Sequence, residues 1–209
     1  FSMGNQLTFS GAGELDNGLN VSISFVLDQN DDTYTAAAGT GTSAHKGAPF
    51  DSHSVTVSSD ELGSLTFHGE GGSSAQAAID TTAAGDIWDS GFGVTTGNDP
   101  KTSKGSDNMI AYTLPTIMDG VGLKASYTPK GSGAAASMAY AISYTGVEGL
   151  TLDYATGEDD STAGSESDTT TIKASYAYGP LTVAYSQSEF DGAGTAANTD
   201  QEVTSYKVS

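Results

Sequence analysis

The sequence has no cysteine, no arginine and few basic residues of any kind. Its seven basic residues are all lysines, against 26 aspartates and glutamates, and the formal net charge is −19. Without cysteine the chain has no disulfide scaffold, thiol nucleophile or cysteine-based zinc site. The charge also argues against nucleic-acid binding, because that needs a basic face to displace counterions from phosphates. Cations are the partners that this balance favours.

Long apolar runs are absent as well, since none approaches the roughly 20 residues of a membrane helix. Hydrophobic residues make up only 36% of the chain, and 27 residues are glycine, which is little for a packed soluble core. A water-filled β-barrel needs only an apolar outer belt, and its strands span a bilayer with about 10 residues each. The chain starts at Phe1 and stops at Ser209 within a strand-like run. We therefore expect an internal fragment of a longer mature chain.

What the sequence does contain is a regular series of short alternating segments. In Leu181-Thr182-Val183-Ala184-Tyr185, for example, apolar residues take every second position. This alternation predicts about eleven β-strands, at residues 6–15, 19–27, 53–59, 64–70, 108–115, 121–128, 136–144, 150–155, 169–178, 181–188 and 203–209. Short turns at 16–18, 61–63, 118–120, 146–149 and 179–180 alternate with longer loops. That asymmetry is typical of an all-β transmembrane antiparallel barrel, whereas a soluble β-sandwich has no reason for it.

The two faces of the predicted strands differ in polarity. In strand 121–128, Leu123 and Tyr127 share one face, and Lys124 lies on the other. A charge on the lipid face near mid-membrane costs about 2–4 kcal/mol, so the polar face is expected to look into the lumen. The residues expected to face the lumen are His68, Lys124, Lys173 and Lys207.

Tyrosines recur near strand ends on the opposite face. They suit the aromatic girdle of a membrane interface, although tyrosine is common in strands of any kind. The five on which this prediction rests are Tyr144, Tyr154, Tyr176, Tyr178 and Tyr185.

The segment 71–105 is too long for an ordinary connection and shows no clear alternation. Folded into a barrel, such a loop would narrow the lumen, and its acids would set the electric field there. The alternative is an acidic external loop. The candidate constriction residues are Glu70, at the root of the segment, and Asp80, Asp86, Asp89 and Asp99, which share it with the single tryptophan, Trp88.

Two stretches resemble the general-diffusion porins of Gram-negative outer membranes, especially the alphaproteobacterial type. They are the hairpin Gly13-Glu14-Leu15-Asp16-Asn17-Gly18-Leu19-Asn20-Val21 and the segment from Glu61 through Leu65-Thr66-Phe67-His68-Gly69-Glu70 to Ala75. In that family a strand ending in glycine and small residues leads into a third loop that folds inward as the pore constriction.

The resemblance implies a single porin domain over 1–209 that supplies strands two to twelve of a barrel of about 16 strands. It also implies a homotrimer, with 71–105 as the inward-folded constriction loop and its acids in the eyelet. The family usually sets such acids against arginines on the facing wall, and this chain has none. Lys124, Lys173 and Lys207 could form a weaker basic wall.

Other kinds of site have little support in the sequence. Residues 28–32 (Asp28, Asp31 and Asp32) begin like a calcium loop but lack the glycine and glutamate of an EF-hand. No cofactor is expected; weak calcium binding at these acids, or at Glu158, Asp159 and Asp160, stays open. His45, His53 and His68 lack metal-ligand spacing. No nucleophile–base pair stands out, so the chain is not expected to be an enzyme.

The sequence thus predicts an outer-membrane channel for small hydrophilic solutes and ions in a Gram-negative bacterium. Size exclusion would act at 71–105, and the excess of acids favours a mild preference for cations. Outer-membrane lipid and two further copies of the chain are the expected partners. One alternative is a soluble β-rich surface or adhesion protein, and another is a plugged receptor or barrel enzyme.

Overall fold

Eleven β-strands form one antiparallel sheet in a computed structural model that describes residues 7–27, 50–79, 83, 100–103, 108–130, 135–160, 166–193 and 200–209. Each strand pairs with its neighbours along the chain, in the order β1 to β11. The strands are β1 (Leu7–Glu14), β2 (Asn20–Leu27), β3 (Phe50–Ser59), β4 (Gly63–Glu70), β5 (Met109–Thr113), β6 (Val121–Thr128), β7 (Ser137–Tyr144), β8 (Leu150–Asp159), β9 (Ser167–Tyr178), β10 (Leu181–Gly192) and β11 (Gln201–Val208). Among these residues no helix is both long and apolar enough to cross a membrane.

The turn between β1 and β2 illustrates how local sequence sets the pairing. Gly18 has a φ of 82°, a left-handed conformation that glycine adopts without steric cost. The Leu19 amide donates to Asn17 Oδ1 at 3.2 Å, and the Leu15 amide donates to the Leu19 carbonyl at 2.8 Å. The Asn-Gly pair thus forms the hairpin that the sequence predicts.

Several strands extend farther than alternation indicates. β8 continues to Asp159 and β9 begins at Ser167, so Glu158 and Asp159 lie in a strand and not in the predicted loop 156–168. Apolar alternation stops after Ala155, yet backbone pairing persists as far as Asp159 opposite Ser167. Hydrogen bonding of the backbone continues where the side chains no longer need to be apolar, which is why the pattern underestimates these strands.

The predicted strand 108–115 is shorter in the structure, where β5 covers only Met109–Thr113. Asn108 has a φ of 59°, which is not a strand conformation. Pro115 lacks the amide proton that a ladder requires. Local backbone chemistry therefore ends this strand on both sides.

The burial of the two faces is the reverse of that in a soluble protein. Large apolar side chains on one face are between 41% and 54% exposed, namely Phe9, Ile23, Phe67, Tyr140, Ile142, Leu152, Tyr154, Ile172 and Val183. On the other face of β6–β11 the small polar side chains Ser126, Thr171, Ser186, Ser188 and Ser205 are at most 7% exposed. An apolar surface of this extent is the mark of contact with a membrane or another protein.

Candidate functional site

Between β4 and β5, residues 72–79, Ala83 and 100–103 lie against the polar face of the sheet. These residues are called the inner segment below. Gln76 is 0% exposed, and Ser74 and Ser103 are each 2% exposed. Ala75 and Ile79 form a buried cluster with Ala139, Ala141 and Ala155 of β7 and β8. The segment can approach the sheet closely because the positions beneath it carry small side chains.

Hydrogen bonds anchor the inner segment to four strands, and each has a neutral side chain as its partner on the sheet. These bonds satisfy polar groups that leave water when the segment packs. They join Ala75 N to Ser126 Oγ at 2.9 Å, Gln76 Nε2 to Thr171 Oγ1 at 2.9 Å, Ala83 N to Ser186 Oγ at 2.8 Å and Lys101 N to Gln201 Oε1 at 2.8 Å.

The outgoing and returning arms of the inner segment also bind each other. Ser74 Oγ and Ser103 Oγ are 2.7 Å apart, and the Ser103 amide donates to Gln76 Oε1 at 2.7 Å. On the returning arm, Lys101 Nζ lies 4.6 Å from the centre of the Phe190 ring, within the range of a cation–π contact. Both arms are therefore fixed to each other and to the sheet.

Of the five candidate constriction acids, only Glu70 belongs to the described residues. Glu70 is the last residue of β4, is half-buried, and is separated from the inner segment by Gly71 alone. Asp80, Asp86, Asp89 and Asp99 lie outside the described residues, as does Trp88. Their part in a constriction stays a prediction.

The four side chains expected to face the lumen all lie on the polar face. His68 is half-buried in β4, beside Met109 of β5 in the ladder. Lys124 of β6 and Lys173 of β9 each lie two residues from a hydroxyl that anchors the inner segment, Ser126 and Thr171 respectively. Lys207 of β11 lies two residues from the buried Ser205.

Lys124, Lys173 and Lys207, called the arc below, lie on the polar face on the same side of the buried hydroxyls. In each case the lysine is displaced from the buried hydroxyl toward the end of the sheet that carries the short turns. Their strands belong to the wall that holds the segment, and Lys173 stands opposite Asp153 in the ladder. The arc therefore lies on the strands that hold the segment, and Asp153 offsets part of its positive charge.

No metal site emerges from the described part of the chain, where no group of three or more histidines, cysteines or acids could hold an ion. Asp159 Oδ1 accepts a hydrogen bond from Ser137 Oγ at 3.1 Å. Asp28, Asp31, Asp32 and His45 lie outside the described residues. His53 packs its ring against the backbone of Gly69, where a side chain would collide with it.

Sequence reasoning missed the residues that seat the inner segment, above all Gln76 and Ser103. The sequences of β7 and β8 do contain a pattern that could have predicted where the inner segment packs. The polar face of β7 reads Ser137, Ala139 and Ala141, and that of β8 continues with Ala155 and Gly157. A run of small residues on one face of neighbouring strands indicates that another part of the chain packs there.

Comparison with known proteins gives a consistent family and fold. A family model described as Gram-negative porin matches residues 1–209. None of the curated proteins searched matches the sequence. Among solved structures, the "Anion-selective porin from Comamonas acidovorans" is 16% identical with a TM-score of 0.51, over 98% of this chain and 63% of that one. A mutant of Rh. blastica porin is 17% identical with a TM-score of 0.42, over 97% and 78%. The chain thus spans less than two thirds of the Comamonas protein.

Proposed function

Because the chain belongs to the Gram-negative porin family, we propose that it forms a water-filled channel for the passive diffusion of small hydrophilic solutes and ions. The predicted all-β transmembrane barrel and its place in the outer membrane of a Gram-negative bacterium are confirmed. Porins are channels without catalytic chemistry, which confirms that the chain is not an enzyme. The alternatives of a soluble adhesion protein and a barrel enzyme are set aside. A complete barrel of about 16 strands stays a prediction.

The observation that carries the proposal is the reversed burial of the sheet. Its apolar face is exposed and suits lipid, while its polar face holds hydroxyls and charges that suit water. A barrel of this kind encloses an aqueous lumen, and the inner segment occupies part of it.

The proposed filter is the loop 71–105 together with Glu70. A segment packed on one wall reduces the cross-section available to solutes, so size exclusion would act at its height. In the proposal Asp80, Asp86, Asp89 and Asp99 contribute negative charge to this constriction. No cofactor takes part, and the weak calcium binding expected of the acidic loops stays a prediction.

A mild preference for cations is the proposed selectivity. Acids outnumber lysines by 26 to 7 across the chain, and such a field concentrates counterions at the pore. The preference is mild because Lys124, Lys173 and Lys207 place positive charge on the polar face. The anion-selective porin from Comamonas acidovorans has a similar fold, so the barrel as such does not decide the sign.

A homotrimer is the proposed assembly, with the apolar face of β1–β4 as the contact. Tyrosines suit a lipid–water interface. All nine described tyrosines lie on strands β5 to β11, and none lies on β1–β4. The apolar face of β1–β4 instead combines phenylalanines and aliphatic side chains with glycines such as Gly11 and Gly13. A surface of large apolar groups beside small residues fits the close approach of another protein.

The first test is single-channel recording of the complete native protein, purified in detergent, in a planar bilayer under a KCl gradient. The expected result is current steps in groups of three, with a reversal potential whose sign shows that K⁺ is more permeant than Cl⁻. Absence of conductance from protein that is demonstrably folded and inserted would refute the channel. A reversal potential on the anion side would refute only the proposed selectivity.

A further inference from the structure

We propose that Gln76 is a positioning residue that clamps the two arms of the inner segment together against β9 and thereby sets the width of the open pore. The inference rests on the proposed channel function and deepens it. It concerns the described arms, 72–79 and 100–103, and not the chain that connects them.

Gln76 is completely buried and uses both ends of its side-chain amide. Nε2 donates to Thr171 Oγ1 on the wall at 2.9 Å, and Oε1 accepts from the Ser103 amide on the returning arm at 2.7 Å. One side chain therefore joins the outgoing arm, the returning arm and the barrel wall.

The chemistry of the junction suits an amide. Glutamine carries a donor and an acceptor on one planar group, and here each meets its complement. Alanine at position 76 would leave the buried Ser103 amide without its acceptor, and asparagine is one methylene too short to reach both partners. An unsatisfied buried amide is costly, because its bond to water is not restored.

The residues around Gln76 hold its hydrogen-bond partners in place. Thr171 Oγ1 also lies 3.3 Å from Ser188 Oγ, so the hydroxyl that accepts from Gln76 is itself held by the wall. Opposite Ser103 the wall has Gly157, where a Cβ atom would lie 2.6 Å from Ser103 Cβ. The returning arm thus has a seat in β8, and Gln76 holds it there.

Loss of the clamp is expected to free the returning arm intermittently. Breaking both amide bonds should raise the population of detached arms roughly 10- to 100-fold. Because detached arms alter the cross-section of the pore, the expected signature is excess noise in the open-channel current and a change in mean conductance. A residue that only added stability would lower the unfolding midpoint and leave the open-channel noise unchanged.

The experiment compares single channels of the wild type, Gln76→Ala and Thr56→Val. Thr56 is the matched control, because its hydroxyl bonds Thr66 Oγ1 at 2.9 Å on the polar face of β3 and β4, whereas the hydrogen bonds that anchor the inner segment go to β6, β9, β10 and β11. Gln76→Ala is expected to be noisy, and Thr56→Val to match the wild type. Equal noise in all three proteins would overturn the clamp, whereas a silent wild type would refute the channel itself.

A pair of engineered cysteines gives a second test that does not depend on conductance. The sequence has no cysteine, and the Ser74 and Ser103 side-chain oxygens are 2.7 Å apart, so cysteines at these two positions are placed to form a disulfide. In the reduced Ser74→Cys/Ser103→Cys protein the buried thiols should react with an alkylating reagent only when the arms detach, so adding Gln76→Ala should speed alkylation roughly 10- to 100-fold. Equal rates in the two backgrounds would overturn the proposal.

The same cross-link should also rescue function. In the triple variant, oxidation is expected to return the open-channel noise to the wild-type level, and a reducing agent should restore the excess. Noise that is indifferent to oxidation would show that the distance between the arms does not set the pore.

Discussion

At position 157 the barrel wall has no side chain, and Ser103 of the inner segment fills the space beside it. A Cβ atom there would also lie 3.0 Å from Ala139 Cβ. Gly122 of β6 is another strand glycine on the polar face, but among the described residues beyond its chain neighbours a Cβ there would meet only Ser143 Cβ, at 3.9 Å. Two glycines with similar backbone thus have different roles, and only the first makes room for another segment.

The two glycines give a matched test of the seat. Gly157→Val should lower the free energy of unfolding by about 1–3 kcal/mol, because it overpacks the contact with Ser103. Gly122→Val should change it by less than about 0.5 kcal/mol, as surface substitutions do. Denaturant unfolding of both variants in lipid vesicles measures the difference. Equal losses in the two variants would mean that Ser103 does not depend on this space.

At the scale of the strand, the two faces meet different solvents. Ile142 is 42% exposed on the apolar face of β7, while the next residue, Ser143, lies on the polar face. In the ladder Ile142 stands opposite Leu123 and Tyr154, and Ser143 stands opposite Gly122 and Asp153. Introducing a lysine at one or the other of these adjacent positions therefore compares the cost of a charge on the lipid-facing side with its cost on the lumen-facing side.

Ile142→Lys should cost about 1–3 kcal/mol, because it places a charge in lipid between mid-membrane, where the cost is largest, and the interface, where it is smallest. Ser143→Lys should cost less than about 1 kcal/mol, since its side chain reaches water and the nearby Asp153 carboxylate. The measurement is the free energy of unfolding of each variant in vesicles. A comparable loss at Ser143 would show that the faces are assigned the wrong way round.

At the scale of the whole molecule, the chain combines a large excess of acids with a small basic arc on the polar face. Lys124, Lys173 and Lys207 lie on the polar face of β6, β9 and β11, the face that would line the lumen of the proposed channel. Lys130 carries the same charge but lies exposed beyond the end of β6. Selectivity should therefore depend on where a lysine stands and not only on the total charge.

Replacing Lys124, Lys173 and Lys207 with glutamine should move the reversal potential toward stronger cation preference. Lys130→Gln alone should leave it close to the wild-type value. The effect should shrink in concentrated salt, because the Debye length falls to about 3 Å at 1 M. Reversal potentials at two salt concentrations measure it. A triple variant with the selectivity of the wild type would exclude the arc from the ion path.

Alternation of residues by itself determined the eleven strands, their two faces and the placement of every strand lysine on the polar face. Each of these follows from the two-residue period of a strand and the short hairpins between neighbours. Alternation did not predict the full length of β8, β9 and β10, because backbone pairing in these strands continues beyond the residues with apolar alternation. Only the tertiary structure decided where the inner segment rests, since Gln76 and Thr171 are 95 residues apart in the chain. Their hydrogen bond depends on shape and on the burial of polar groups, which have no local period.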